Sequence, residues 1–185
     1  MTYNAVQDSL YKEGILFITG DINEETTQEA MEWIQYQNLT KSKSKKKLTL
    51  YINSSGGNLY DAFALIDIMR ASKLPVDTVG IGAVMSAAFL IFVCGRKRFI
   101  SPNTSIMCHE YSETVEGKHH DIISSMKEAE LCNAKMLDIL VSQCKLTDEQ
   151  VAEELLNPTD IYLTPEELLA IGGADEIYTN NNLHK

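Results

Sequence analysis

A general base is scarce in this chain. Of its four histidines, His119 and His120 open a polar helical stretch, His184 lies in the tail, and His109 alone ends an apolar run, TSIMC. An imidazole there can take a proton from a hydroxyl near neutral pH, although a lone histidine at a strand end serves structure equally well. Ser86 follows GIGAVM and opens the apolar run AAFLIFVC. It can simply cap a helix, but in a buried helix the same hydroxyl sits in a dry site that favours a developing oxyanion. Val84 and Ala88 hold the glycine places of G-x-S-x-G, so the α/β-hydrolase elbow signature is absent. Gly56 and Gly57, between LYINSS and a helical stretch, fit a tight turn or a backbone donor site for an anion. No GK[ST] follows, which excludes a phosphate loop. Asp160, between Pro158 and IYL, is one candidate to orient an imidazole, but it is one of 26 acidic residues and spacing does not select it.

The elements that must position these residues alternate along the chain. Apolar runs predict strands over 15–20, over LTLYIN, over VDTVGIG, near 98–100 and 104–108, over 161–163 and over 176–178. Helical spacing predicts helices over 24–38, with Ala30, Trp33 and Ile34 on one face, and over 58–72, with Leu59, Ala62, Phe63, Ile66 and Met69 on one side. The segment 86–94 is apolar all round and should be a buried helix. A long helix is expected over 118–145, with Ile122, Met126, Ala129, Met136, Leu140 and Cys144 near helical spacing. Thr147 and Gln150 form a capping box for a further helix that Pro158 ends, and a last helix covers 164–171. This alternation means an α/β fold, with no linker or repeat, in one domain over residues 1–185.

Bulk composition narrows the function classes. The chain has 185 residues, 44% hydrophobic and 23% charged, enough for a full core. A net charge of −10 argues against nucleic acid. The single basic run, Lys41 to Lys47, is Ser-interleaved and reads as a solvated loop. The four cysteines show no CxxC pair and read as reduced thiols. Neither a secretory signal nor a membrane span is expected, so the cytoplasm is the expected location; a virus-encoded protein acting there would look the same.

Taken together, ILFITGDI, LYINSSGG, GIGAVMSAAFL, RKRFISPNTSIMCHE and DIYLTPEELLAIGGADEI resemble the proteolytic subunit of Clp protease, the ClpP family of serine peptidases, from about Ser9 to Tyr178. The resemblance implies a ClpP/crotonase-like spiral of strand–strand–helix units with a protruding handle helix matching 118–145. It puts Ser86 on the nucleophile, His109 on the general base, Asp160 on the orienting carboxylate, and the backbone N–H groups of Gly57 and Ala87 on the oxyanion hole. It further implies a homo-oligomer, a heptameric ring or stacked double ring, that takes peptides or unfolded proteins from a AAA+ unfoldase. No metal or cofactor is required.

Several positions depart from the family. Ser55 replaces the usual proline, which should loosen the glycine turn. Ala87-Ala88 replaces Met-Gly, Pro158-Thr159 replaces an acidic–Arg pair that couples ring pairing to an active triad, and Glu110-Tyr111 follows the histidine. Little sequence before Ser9 matches the family's axial loops, so weakened unfoldase docking is expected. Two other functions compete: a weakly active subunit that modifies a host Clp complex, and a crotonase-type acyl-CoA enzyme, which would not need the Ser86, His109, Asp160 set.

Overall fold

The computed structural model describes residues 3–40 and 47–178. Most of the lysine run and the tail from Thr179, with His184, lie outside the described residues. The elements follow the order α1 (Tyr3–Glu13), β1 (Ile15–Thr19), α2 (Glu24–Leu39), β2 (Leu48–Ser54), α3 (Leu59–Ala71), β3 (Val76–Met85), α4 (Ala87–Val93), β4 (Arg98–Ile100), β5 (Ser105–Cys108), α5 (His119–Gln143), α6 (Asp148–Glu154), β6 (Ile161–Leu163), α7 (Pro165–Ala170) and β7 (Glu176–Ile177). The mixed α/β fold implied by the resemblance is the one observed. Helix α1 is an addition to the expected elements. Helix α6 ends at Glu154, earlier than Pro158, with Leu155 as its C-cap.

Strands β1, β2, β3, β4 and β7 lie side by side in parallel, and β5 pairs with β3 on one side and antiparallel with β6 on the other. Strand β3 therefore has two neighbours on one flank: Thr78 to Gly80 pair with β4, and Ala83 to Met85 pair with β5. Between them the register with β2 shifts, and Gly82 takes φ 62° there. A Cβ at Gly82 would stand 2.5 Å from Asn53 Oδ1, the atom that accepts from Ala83 N–H. The irregularity swings the end of β3 out of register with its beginning and delivers it to β5.

Helix α4 lies at the centre. All seven of its residues are buried, and it packs on β2, β3 and β5 and against α3 and α5. Leu16, Ile18, Leu50 and Ile52 of the sheet join Ala30, Trp33, Ile34, Leu59, Ala62, Ile66 and Met69 in the same core, with Phe63 half-buried against it, so the expected face of α2 is buried and that of α3 is too, apart from Phe63. Helix α5 behaves differently along its length. Cys132, Met136, Ile139 and Leu140 are buried, whereas Ile122, Ile123, Met126 and Leu131 are 40–61% exposed. The expected stripe thus meets the core only over the second half, and the first half projects.

Two charge clusters, one around the buried Asp77 and one around the exposed Asp175, tie the strands together. Asp77, within the apolar β3, accepts from Arg96 at 2.8 and 3.0 Å and pairs with Lys47 at 3.2 Å. Arg98 of β4 donates to both oxygens of Asp175 and, at 2.7 Å, to the Gln143 carbonyl at the C-terminus of α5, where the helix dipole favours a cation. Burial pushes the Asp175 carboxyl up, but the Arg98 side-chain and main-chain hydrogen bonds outweigh it and hold it below its usual range. A carboxyl depressed in the folded state stabilises above its unfolded pKa and loses that contribution as pH falls through the folded value. Asp175→Asn should therefore be less stable than wild type at pH 7 by about 1 kcal/mol, after discounting for the exposure of Asp175. In thermal unfolding the gap should close as the pH drops below the ordinary carboxylate range, and a gap independent of pH would contradict this account.

Candidate active site

Ser86 is the turn between the end of β3 and the start of α4. Its backbone stands at φ 52°, ψ −124°, and among the described residues it is the one non-glycine with positive φ. Such a conformation costs on the order of 1–3 kcal/mol and persists only where the surroundings impose it. Here the Ser86 N–H donates to Met107 O at 2.9 Å, and the Ser86 carbonyl accepts from Phe89 N–H at 2.9 Å. Its hydroxyl makes no cap hydrogen bond. The serine therefore occupies a strained strand-to-helix elbow although Val84 and Ala88 stand where such an elbow usually has glycines.

Room for that elbow comes from the neighbouring turn. A Cβ at Gly56 would lie 2.8 Å from Ser86 Cβ and 3.3 Å from Ala87 N, so the glycine lets the two turns abut. The turn itself is firmly held despite Ser55. Gly56 N–H donates to the buried Ser54 Oγ at 3.1 Å, Ile22 N–H donates to Gly56 O at 2.8 Å, and Asn58 N–H donates to Ile22 O at 2.7 Å. Asn58 Oδ1 then caps α3 by accepting from Tyr60 and Asp61 N–H. Among the described residues, the N–H groups of Gly57 and Ala87 donate to no protein acceptor. Two unsatisfied amides thus border the serine.

The other two candidates reach the same end of the sheet through register. Met85 is level with Met107 in the parallel β3–β5 pair, so Ser86 stands level with Cys108, beside His109. In the antiparallel β5–β6 pair Cys108 faces Ile161 as the last paired position, so His109 and Asp160 each lie one residue beyond the ladder. His109 is half-buried and Asp160 is exposed. Within the protomer, His109 Nδ1 is engaged by the Glu110 carbonyl in a short hydrogen bond. Among the described residues no hydrogen bond joins His109 to Ser86 or to Asp160.

The chain leaving His109 is held on both sides by residues that sequence reasoning missed. Glu110 N–H donates to the Asn157 carbonyl at 3.1 Å, and Tyr111 N–H donates to Asn133 Oδ1 at 2.7 Å. Asn157-Pro158 is a turn signal, and an asparagine inside the long α5 is a poor helix former whose side chain tends to seek backbone. Both were visible hints. Ser54 and Ile22 carried no signal, because their roles exist only once the glycine turn packs against them.

Cys94, Cys108, Cys132 and Cys144 are free thiols. Burial raises Cys108 to about 12 and, against nearby arginine charge, Cys94 and Cys144 to about 11. None of these three thiols is therefore a thiolate at neutral pH. Among the described residues no helix is long and apolar enough to cross a membrane.

A serine on such an elbow, beside a pinned glycine turn and a histidine one strand away, is laid out for acyl transfer through a hydroxyl. The family model of the Clp protease matches residues 1–181, and the chain belongs to that family of serine-type peptidases. It is 27% identical over 174 residues to the ATP-dependent Clp protease proteolytic subunit of Deinococcus radiodurans, an alignment covering 93% of this chain and 83% of that one.

The glycine turn yields a direct test. A Cβ at Gly57, whose φ is 146°, would lie 2.2 Å from the Ile22 carbonyl oxygen. Gly57→Ala should displace the turn together with its free N–H, lower the melting temperature and cut hydrolysis of a small fluorogenic peptide at least about 100-fold. Wild-type values for both would mean that the turn is not so constrained.

Proposed function

We propose that this chain hydrolyses peptide bonds in peptides or unfolded proteins, as one peptidase domain, with Ser86 as nucleophile, His109 as general base and Asp160 as the carboxylate that stabilises the imidazolium. The observation that carries this reading is the strained Ser86 backbone beside the two unsatisfied amides of Gly57 and Ala87. The Glu110 carbonyl can only accept, so Nδ1 of His109 carries the proton. In the neutral imidazole this tautomer leaves Nε2 as the acceptor nitrogen, the one a general base uses.

Nε2 takes the Ser86 proton as the oxygen attacks the scissile carbonyl. The Gly57 and Ala87 N–H groups receive the oxyanion, an interaction worth roughly 3–4 kcal/mol of barrier per donor. His109 then protonates the leaving amine, and water, activated by the same imidazole, releases the acyl-enzyme. Asp160, which like His109 lies one residue beyond the β5–β6 ladder, is assigned the negative charge that favours the imidazolium.

The protomer is further proposed to assemble into a ring or stacked double ring. The apolar side chains of the projecting half of α5 are exposed in the isolated protomer, as is expected of a surface that self-associates. The relative's name specifies ATP dependence, and by kinship we assign substrate delivery to a AAA+ partner in the cytoplasm. Ser86→Ala should abolish both fluorophosphonate labelling and small-peptide cleavage, at least about 1000-fold below wild type, while leaving the native mass unchanged. Cleavage that survives the substitution would remove Ser86 from the mechanism.

A second reading is a weakly active subunit that modifies a host Clp complex. It is favoured by the exposed Asp160 without a hydrogen bond to His109 and by Pro158-Thr159 before it. Fully formed rings of wild type that neither label nor cleave would select it.

A further inference from the structure

The mechanism above needs something to hold His109 in one tautomer and one direction, and in the protomer Asp160 does not do so. The group that does is a peptide unit. Its carbonyl belongs to Glu110 and accepts from His109 Nδ1. Its N–H belongs to Tyr111 and donates to Asn133 Oδ1 at 2.7 Å. A trans peptide is planar, with its C=O and N–H pointing in opposite directions. Gripping the N–H from one side therefore fixes where the carbonyl points on the other. The peptide before it is also fixed, because Glu110 N–H is bonded to the Asn157 carbonyl at 3.1 Å.

We infer that Asn133 is a positioning residue that orients His109 through the Glu110–Tyr111 peptide, a second orienting device beside Asp160. This rests on the reading of His109 as the base. Asn133 is suited to the task by its place in α5. It is half-buried and directly follows Cys132, where the helix enters the core, so its side chain projects from a fixed support. Its amide oxygen accepts from the half-buried Tyr111 N–H, a donor that water can also satisfy but only the side chain holds in one direction. Its own NH2 group donates to no protein acceptor among the described residues, so the acceptor function can be separated from the rest of the side chain.

One helix turn earlier, Glu128 accepts from the Tyr60 hydroxyl, just past the glycine turn and its cap. The stretch from Glu128 to Asn133 therefore contacts both the arm bearing the oxyanion glycines and the arm bearing the base. Movement of α5 would be felt at both.

The test compares wild type, Asn133→Ala and Asn133→Asp, each as the assembled full-length protein. Steady-state hydrolysis of a fluorogenic peptide is combined with fluorophosphonate labelling of Ser86 and nitrogen-resolved NMR of the histidine rings. Alanine is the better helix former, so Asn133→Ala should keep its fold and melting temperature. It should lower kcat about tenfold with KM within about twofold, and His109 should lose its uniform Nδ1–H state. Aspartate retains an acceptor oxygen and should restore kcat to within about threefold of wild type. An alanine variant with wild-type kcat and tautomer would overturn the inference, and so would an aspartate variant as impaired as alanine. A wild type that is not labelled at all would instead remove the peptidase reading on which the inference stands, an outcome visible before any variant is made.

Discussion

The backbone reversal at Ser86 is the constraint around which the rest is arranged. Strand β3 must end and α4 must begin within one residue, because all seven residues of α4 are apolar and buried and cannot tolerate a longer approach through solvent. That forces a positive φ on a residue with a side chain, and the strain is sustained by the packing on both sides of it. Gly56 supplies the room, since any side chain there would press on Ser86 and on the Met85 carbonyl. The irregularity in β3 supplies the direction, carrying the end of the strand towards β5 and so towards His109. The proposed nucleophile is therefore placed by core packing and sheet register, far more than by local helix capping.

Most of the site's hydrogen bonding runs through main chain. The glycine turn is gripped by Ile22 backbone and by one buried hydroxyl, the base strand exits onto a carbonyl, and the candidate oxyanion donors are amides. This explains how Ser55, Ala87 and Ala88 can replace the residues usual in the family without undoing the arrangement. Backbone donors remain whatever side chain is attached, provided that the path of the chain is kept. The position of Asp160 is more vulnerable: it is exposed at the start of a three-residue strand, directly after Asn157, Pro158 and Thr159.

Much of this was legible in the sequence. Periodicity located β1, β2, α2, α3, α4 and α7, because each carries a continuous apolar run or a one-sided stripe. Thr147 with Gln150 announced its helix by type and spacing, and the reciprocal bonds are present. Ser86 and Gly57 were singled out by their place between strand and helix, although the elbow was judged absent for want of its glycines. The steric relief came from Gly56, on another segment, and no local pattern reports that. Helix α1 was missed although Val6 and Leu10 stand four residues apart within it, and the exposure of Ile122 and Met126 was missed because spacing reveals a stripe without saying what covers it. Asp77, inside an apolar strand, was passed over, although a buried carboxylate calls for partners, which Arg96 and Lys47 supply.

The cysteines have a consequence of another kind. Thiol chemistry proceeds through the thiolate, and burial leaves Cys108 with a pKa of about 12 and almost none of that form at neutral pH. Peroxide or an alkylating reagent would thus find no competent sulfur at Cys108 until the β5–β6 corner opened. Oxidation of Cys108 is therefore coupled to opening of that corner, and the segment that carries the imidazole doubles as the shelter of this one thiol.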